Sequence, residues 1–210
     1  MQSYKIYINE RPLIMIPTDS LKELNIVKKN KILLCPYNRN PESIKKAVEI
    51  LKKTDYINKV ILHSKDFYRL VADFELNYPI VVASGGLIRN EFDEYLFIFR
   101  KGHWDLPKGK IEKNEGKREG AIREVMEETG IKKVKIIEKI GITYHLFKGK
   151  GGRESIKKSH WYLMETVKQK LKPQVEEYIE SAEWRSLAEM SSLKPMYKNI
   201  SDILKLYQNS

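Results

Sequence analysis

Gly109-Lys110-Ile111-Glu112-Lys113-Asn114-Glu115-Gly116-Lys117-Arg118-Glu119-Gly120-Ala121-Ile122-Arg123-Glu124-Val125-Met126-Glu127-Glu128-Thr129-Gly130-Ile131 is the stretch on which the reading of this chain turns. A loop rich in Gly and Lys leads into a helix expected over about Lys117 to Thr129. On that helix Glu124, Glu127 and Glu128 stand at i, i+3 and i+4 and are expected to share one face, while Ala121, Ile122, Val125 and Met126 take the other. Like charges at this spacing repel, so a helix that gathers three carboxylates needs a compensating cation. Hard divalent cations, which take carboxylate oxygens as ligands, supply one. Taken alone, an acidic helical face is usually solvated surface.

The full spacing is more specific than the face. Gly109, Glu115, Arg123-Glu124-Val125, Glu127-Glu128 and Gly130-Ile131 follow the pattern G-x5-E-x7-R-E-U-x-E-E-x-G-U, with U aliphatic, at every specified position. A random window matches on the order of once in 10¹⁰ at ordinary residue frequencies. From about Tyr78 onward the chain therefore resembles the Nudix hydrolases, whose box this is. The resemblance implies an α+β fold: an α/β/α sandwich with a mixed sheet, in which the box forms a loop, helix and loop that holds Mg²⁺ or Mn²⁺. It implies hydrolysis of a nucleoside diphosphate linked to another moiety, with water attacking phosphorus.

By the same resemblance, Glu124, Glu127 and Glu128 are metal ligands or the general base, and Arg123 orients the carboxylates by ion pairing. Glu115 helps to anchor the box, Gly109 and Gly130 are structural, and the backbone carbonyl of Lys108 is a further ligand. Many members draw one more carboxylate from a loop before a late strand. Val175-Glu176-Glu177-Tyr178-Ile179-Glu180 resembles that region, which makes Glu176 or Glu177 the candidate. Trp104-Asp105-Leu106-Pro107-Lys108-Gly109-Lys110 resembles the version found in diadenosine polyphosphate hydrolases more than the double-Gly version of nucleoside triphosphate sanitisers. Arg100, Lys108 and Lys110 are candidates for phosphate oxygens, and His103 for another substrate contact.

The chemistry explains the residue types. A diphosphate bridge carries negative charge that repels a nucleophile; bound metal neutralises it and lowers the pKa of the attacking water, and carboxylates serve as ligands and base.

The rest of the composition sets outer bounds. At 210 residues, with 41% hydrophobic and 32% charged, the chain is neither disordered nor membrane-embedded in character. Its net charge of +11 favours anionic partners such as nucleotides. Charge alone does not choose among nucleotides, nucleic acid and acidic lipid; the scattered lysines read as solvated surface with no clear nucleic-acid partner, and a small-molecule nucleotide substrate is what the resemblance implies. One cysteine, Cys35, permits no internal disulfide and fits a reducing compartment. The opening residues do not read as a secretion signal and no apolar run is long enough to span a membrane, so a cytoplasmic protein with no membrane partner is expected.

Residues 1–77 lie outside the resemblance. They read as a small α+β domain: a hairpin over Lys5 to Ile16, β-like runs at Lys31 to Cys35 and Lys59 to His63, an amphipathic helix after Asn40-Pro41, and a second helix near Asp66 to Leu76. The boundary is expected at Tyr78-Pro79, giving domains 1–77 and 78–210. The first is expected to dock or to mediate a homodimer rather than to carry chemistry. The leading function is metal-dependent cleavage of a pyrophosphate linkage, in a dinucleoside polyphosphate or a nucleoside triphosphate. One alternative is removal of pyrophosphate from RNA 5′ ends. The other is a non-catalytic nucleotide sensor, which the intact box and the lack of a clear recognition helix disfavour.

Overall fold

The computed structural model of the protein describes residues 2–24, 31–190 and 192–209. The chain divides into two compact units, Met1–Val81 with Tyr144–Lys157, and Val82–Thr143 with Lys158–Ser210.

The first unit begins with the expected hairpin, β1 (Tyr4–Ile8) and β2 (Arg11–Pro17), in antiparallel register with Ile8 opposite Arg11. Asn9 and Glu10 form its two-residue turn at φ 46° and 61°, the backbone that hairpin turns require. β3 (Ile32–Pro36) and β4 (Lys59–Ser64) run parallel to each other, and β4 runs parallel to β2. The connection between β3 and β4 is helix α1 (Pro41–Lys53). Asn40 caps it by accepting from the Glu42 N–H at 3.0 Å, and Pro41 occupies its first turn. Arg11 reaches the other end, donating to the carbonyls of Leu51 and Thr54, which places a cation where the helix dipole is negative. Helix α2 (Phe67–Asn77) is capped by Asp66 through the Arg69 N–H at 3.1 Å.

Ile44, Ala47, Val48 and Leu51 of α1 and Leu70 and Phe74 of α2 close one apolar core with Ile6, Ile8, Leu13, Met15, Val60 and Leu62. The same core contains Ile156, from the segment 144–157. That segment also pairs with β1, in parallel, at Ile6–Tyr144 and Tyr7–His145. Residues 1–77 thus share their core with chain from beyond the expected boundary, because Ile156, Tyr144 and Leu146 find their apolar neighbours there. A chain that begins near Tyr78 leaves those side chains exposed, at roughly 1.5–3 kcal/mol for each one fully buried. It is expected to aggregate or to melt about 5 °C or more below the full chain in calorimetry. Equal melting temperatures would show that 144–157 does not depend on residues 1–77.

The remaining elements are β5 (Ile80–Arg89), β6 (Glu94–Arg100), β7 (His103–Asp105), β8 (Lys108–Lys110), α3 (Lys117–Thr129), β9 (Lys135–Lys148), β10 (Glu154–Glu165), β11 (Ile179–Ser186), α4 (Leu187–Met190) and α5 (Lys198–Gln208); they form the second unit, except that residues 80–81, 144–148 and 154–157 of β5, β9 and β10 belong to the first. The two ends of this set of strands are β11 and β9, in the order β11-β6-β5-β10-β9, with β7 on β6 and β8 on β5. Successive residues point to opposite faces. Leu87, Phe97 and Trp161 meet Ile200, Ile203 and Leu204 of α5. Their neighbours Ile88, Leu96, Ile98 and Tyr162 meet Ala121 and Val125 of α3. A helix on each face explains why Tyr95 to Phe99 is an unbroken apolar run rather than an alternating one. The expected mixed sheet with helices, an α+β sandwich, is the observed fold. β10 starts earlier than its apolar run suggests, since Ile156 N donates to the Pro79 carbonyl at 2.9 Å and extends the strand through charged residues.

Candidate active site

Helix α3 is held at both ends by its own sequence. The Glu119 carboxylate accepts from the Gly116 N–H at 2.9 Å, and Gly130 ends the helix in the left-handed conformation at φ 74°. Ser84, buried on β5, donates its hydroxyl to the Lys117 carbonyl at 2.6 Å and so ties the first turn to the sheet. Past the other end, the N–H groups of Lys172 and Gln174 donate to the Thr129 and Glu128 carbonyls. That places the turn Val175–Glu177 just beyond the C-terminus of α3.

Arg123 organises the acids. Its Nε and Nη2 grip Glu115 at 2.7 and 2.9 Å, and its Nη1 reaches Glu124 at 2.8 Å and Glu127 at 2.9 Å. Nη2 also donates to the Lys110 carbonyl at 3.0 Å. A planar fork with five donors can satisfy this many acceptors; a lysine cannot. The hydrogen bonds from Arg123 hold Glu115 below the usual carboxylate range, outweighing burial, and the Glu115 bond pushes Arg123 up. Glu115 accepts in addition from the Glu112 N–H, which closes the loop before the helix.

The three helical carboxylates, expected on one face, differ in burial. At 3.6 residues per turn Glu128 lies between Glu124 and the apolar stripe of Ala121 and Val125. It is 2% exposed, whereas Glu127 is open to solvent. Burial pushes Glu124 up, Arg123 pulls it down, and the charges of Glu127 and Glu177 push it up further.

Burial pushes Glu128 up to about 7, against the attraction of Lys108 and Arg100. A carboxyl with a higher pKa folded than unfolded favours folding in its protonated form. Cation-free protein thus loses this contribution as pH rises from about 4.5 to about 7. Glu128→Gln is expected to stabilise the cation-free protein at pH 8, on the order of 3 kcal/mol, with the gap closing as pH falls towards 4.5. Melting in a chelator at both pH values checks this; a gap independent of pH would refute it.

Gly109 lies under the Glu124 carboxylate. A Cβ there would stand 1.9 Å from Oε2 and 2.1 Å from the carboxyl carbon. The preceding turn crosses β5 just as closely, since a Cβ on Gly85 would meet the Pro107 carbonyl at 2.2 Å.

The substrate candidates divide. Arg100 and Lys108, expected at phosphate oxygens, turn their side chains to buried Asp105, with three donor contacts of 2.9 Å. A buried cation takes the nearest buried anion, and here that is an acid the sequence did not single out. Burial works to raise Asp105, but Lys108 and Arg100 outweigh it and hold it at about 2. Lys108 meets the acidic helix through its backbone, its N–H donating to Glu128 at 2.8 Å. Lys110 is exposed and gives its carbonyl to Arg123. His103 stacks on Tyr197 at 4.6 Å between ring centroids. Next to Glu177, the ring of Tyr178 is 67% exposed with Lys101 Nζ 5.2 Å from its centroid. Only its neighbourhood to Glu177 could have flagged that pair in the sequence.

Among the described residues no three His, Cys, Asp or Glu side chains converge as a metal-holding group. Glu124 and Glu127 are turned to Arg123 instead. The donor chemistry nonetheless fits a hard divalent cation: the carboxylates of Glu124 and Glu128 lie at the Lys108-Gly109 backbone, and carboxylate and carbonyl are both oxygen ligands.

The chain is similar to known proteins. The family model NUDIX domain matches residues 79–207. A MutT protein from Methanosarcina mazei Go1 is similar at 26% identity and TM-score 0.51, over 63% of this chain and 95% of that one. A C. elegans Ap4A hydrolase in a binary complex is similar at 22% identity and TM-score 0.49, over 61% and 96%. A MutT Nudix hydrolase from Burkholderia pseudomallei is similar at 21% and 0.49, over 60% and 97%. With a complete box on a helix that packs against a mixed sheet, and a family model over more than half its length, the chain belongs to the Nudix hydrolase family.

Proposed function

We propose that the protein hydrolyses a pyrophosphate linkage in a nucleoside diphosphate joined to a second group, with Mg²⁺ or Mn²⁺ as cofactor. The observation that carries this reading is the set of carboxylates that Arg123 gathers at Glu115, Glu124 and Glu127 over the Gly109 loop. Glu124, Glu127, Glu128, Glu177 and the Lys108 carbonyl would hold the cation. When bound, it supplies neutralisation of phosphate charge and a more acidic water. Glu124, half-buried and pushed up, is suited to accept the proton of the attacking water. Arg123 keeps the acids aligned, and Glu115 keeps Arg123 in place. A bond from phosphorus to the bridging oxygen breaks as the new one to water oxygen forms.

The stretch Trp104 to Lys110 favours a dinucleoside polyphosphate over a nucleoside triphosphate. Exposed Lys101, Lys110 and Tyr178 offer cationic and aromatic contacts for such a ligand. Partly exposed Cys35 suits a reducing compartment, and we keep a cytoplasmic location within this reading. No helix among the described residues is long and apolar enough to cross a membrane. Residues 1–77 contribute no residue to the proposed chemistry.

The test is incubation with Mg²⁺ in ¹⁸O water and a panel of dinucleoside polyphosphates, nucleoside triphosphates, nucleotide sugars and 5′-triphosphate RNA, with products identified by mass. A mononucleotide, with label on one product phosphate, is expected. Activity confined to phosphomonoesters would refute the reading, and preference for the RNA would move the substrate class.

A further inference from the structure

Four charged side chains are packed together on the inner side of the acidic helix. Their exposures are 3% for Asp105, 2% for Lys108, 3% for Glu128 and 16% for Arg100. One oxygen of Asp105, Oδ2, accepts from Arg100 Nε and Nη2 and from Lys108 Nζ, each at 2.9 Å. Its other oxygen accepts from the Leu106 N–H at 2.8 Å. The same two basic residues then reach Glu128. The Lys108 N–H donates to Oε2 at 2.8 Å, and Arg100 Nη1 stands 3.5 Å from Oε1. Both oxygens of Glu128 are thus contacted by residues that Asp105 holds.

Two buried cations need two anions, and burying charges costs several kcal/mol per ion unless each is paired and hydrogen-bonded. Asp105 takes both cations on one oxygen, so Glu128 is not their sole counter-ion. The contact between Asp105 and Lys108 also spans the turn 105–108, whose Pro107 carbonyl accepts from the Gly86 N–H at 3.2 Å. The turn is therefore fixed from within by Asp105 and from below by β5. Its last residue supplies the N–H that orients Glu128 and the carbonyl beside Gly109.

We propose that Asp105 is the positioning residue of the cation site: by holding Arg100 and the 105–108 turn, it sets the Glu128 carboxylate and the Lys108 carbonyl for a divalent cation while touching neither cation nor substrate. The inference rests on the Nudix reading of the site and adds to it a residue outside the box.

The probe is Mn²⁺ alone, titrated without substrate by calorimetry or electron paramagnetic resonance, with kcat, KM and melting temperature measured alongside. Asp105→Asn is expected to weaken Mn²⁺ binding tenfold or more and to lower kcat more than it raises KM. Thr143→Val, which removes the buried partner of Trp161 Nε1, serves as a destabilised reference and should keep full Mn²⁺ affinity. Asp105→Asn combined with Lys108→Met removes the unpaired charge; it should recover stability without recovering affinity, and it decides alone if the single variant does not fold. Mn²⁺ affinity within twofold of wild type in Asp105→Asn, or full recovery in the double variant, would overturn the proposal and leave Asp105 a neutraliser only. Absence of Mn²⁺ binding by the wild-type protein would instead sink the reading of the site, and the inference with it.

Discussion

Glu124→Gln and Glu127→Gln should each lower turnover at saturating Mg²⁺ by about 10²-fold or more, because each removes a charged ligand or base while keeping side-chain shape. The structure separates this loss from unfolding. Glu127 is exposed and its carboxylate pairs with Arg123, which keeps its two contacts to Glu115 without it. Melting temperature should therefore move little in Glu127→Gln. In Glu124→Gln the burial that pushes the acid up no longer acts on a charge, which offsets the lost ion pair. Near wild-type turnover in both variants, with melting unchanged, would mean that the chemistry lies elsewhere.

Gly109→Ala should be comparably damaging, on the order of 10²-fold in kcat, with no acid removed. The new methyl group would stand within 2.5 Å of all three carboxyl atoms of Glu124, closer than any real contact, so the carboxylate must leave its place over the loop. Kinetics on folded variant, confirmed by near-ultraviolet circular dichroism, would check this. Cation binding should weaken in parallel with kcat if displacement of Glu124 is the cause. A variant with full activity would show that Glu124 can work from another rotamer, and would remove the steric argument for glycine at this position.

Much of the architecture was readable from local pattern. The spacing from Gly109 to Ile131 identified the loop and helix, because several of its residues answer to a neighbour within a turn or two: Glu119 to Gly116, Arg123 to Glu127, Gly130 to the end of the helix. Helix α1 was readable for the same reason, its buried positions Ile44, Ala47, Val48 and Leu51 repeating with the helical period. The hairpin at Asn9-Glu10 announced itself by turn chemistry between alternating runs. Fold class followed from the box by resemblance, and the family model agrees with it.

Other features depend on partners distant in sequence. Spacing put Glu128 with Glu124 and Glu127, but a residue at the boundary between two helical faces goes inside or outside according to what covers it, and here the 105–108 turn covers it. Arg100 and Lys108 looked like phosphate ligands because charge is all that a sequence displays; the fold buries them against Asp105, and a buried charge must find its counter-ion among the groups buried with it. Segment 144–157 reads as part of the later strands, yet Ile156 belongs to the core of the first unit, since apolar burial rewards any neighbour in space. The sequence by itself determined which residues could do chemistry and which local elements carry them. Only tertiary structure decided which carboxylates are dry and which cations Asp105 holds, because these are facts of distance and dielectric, set when remote segments pack.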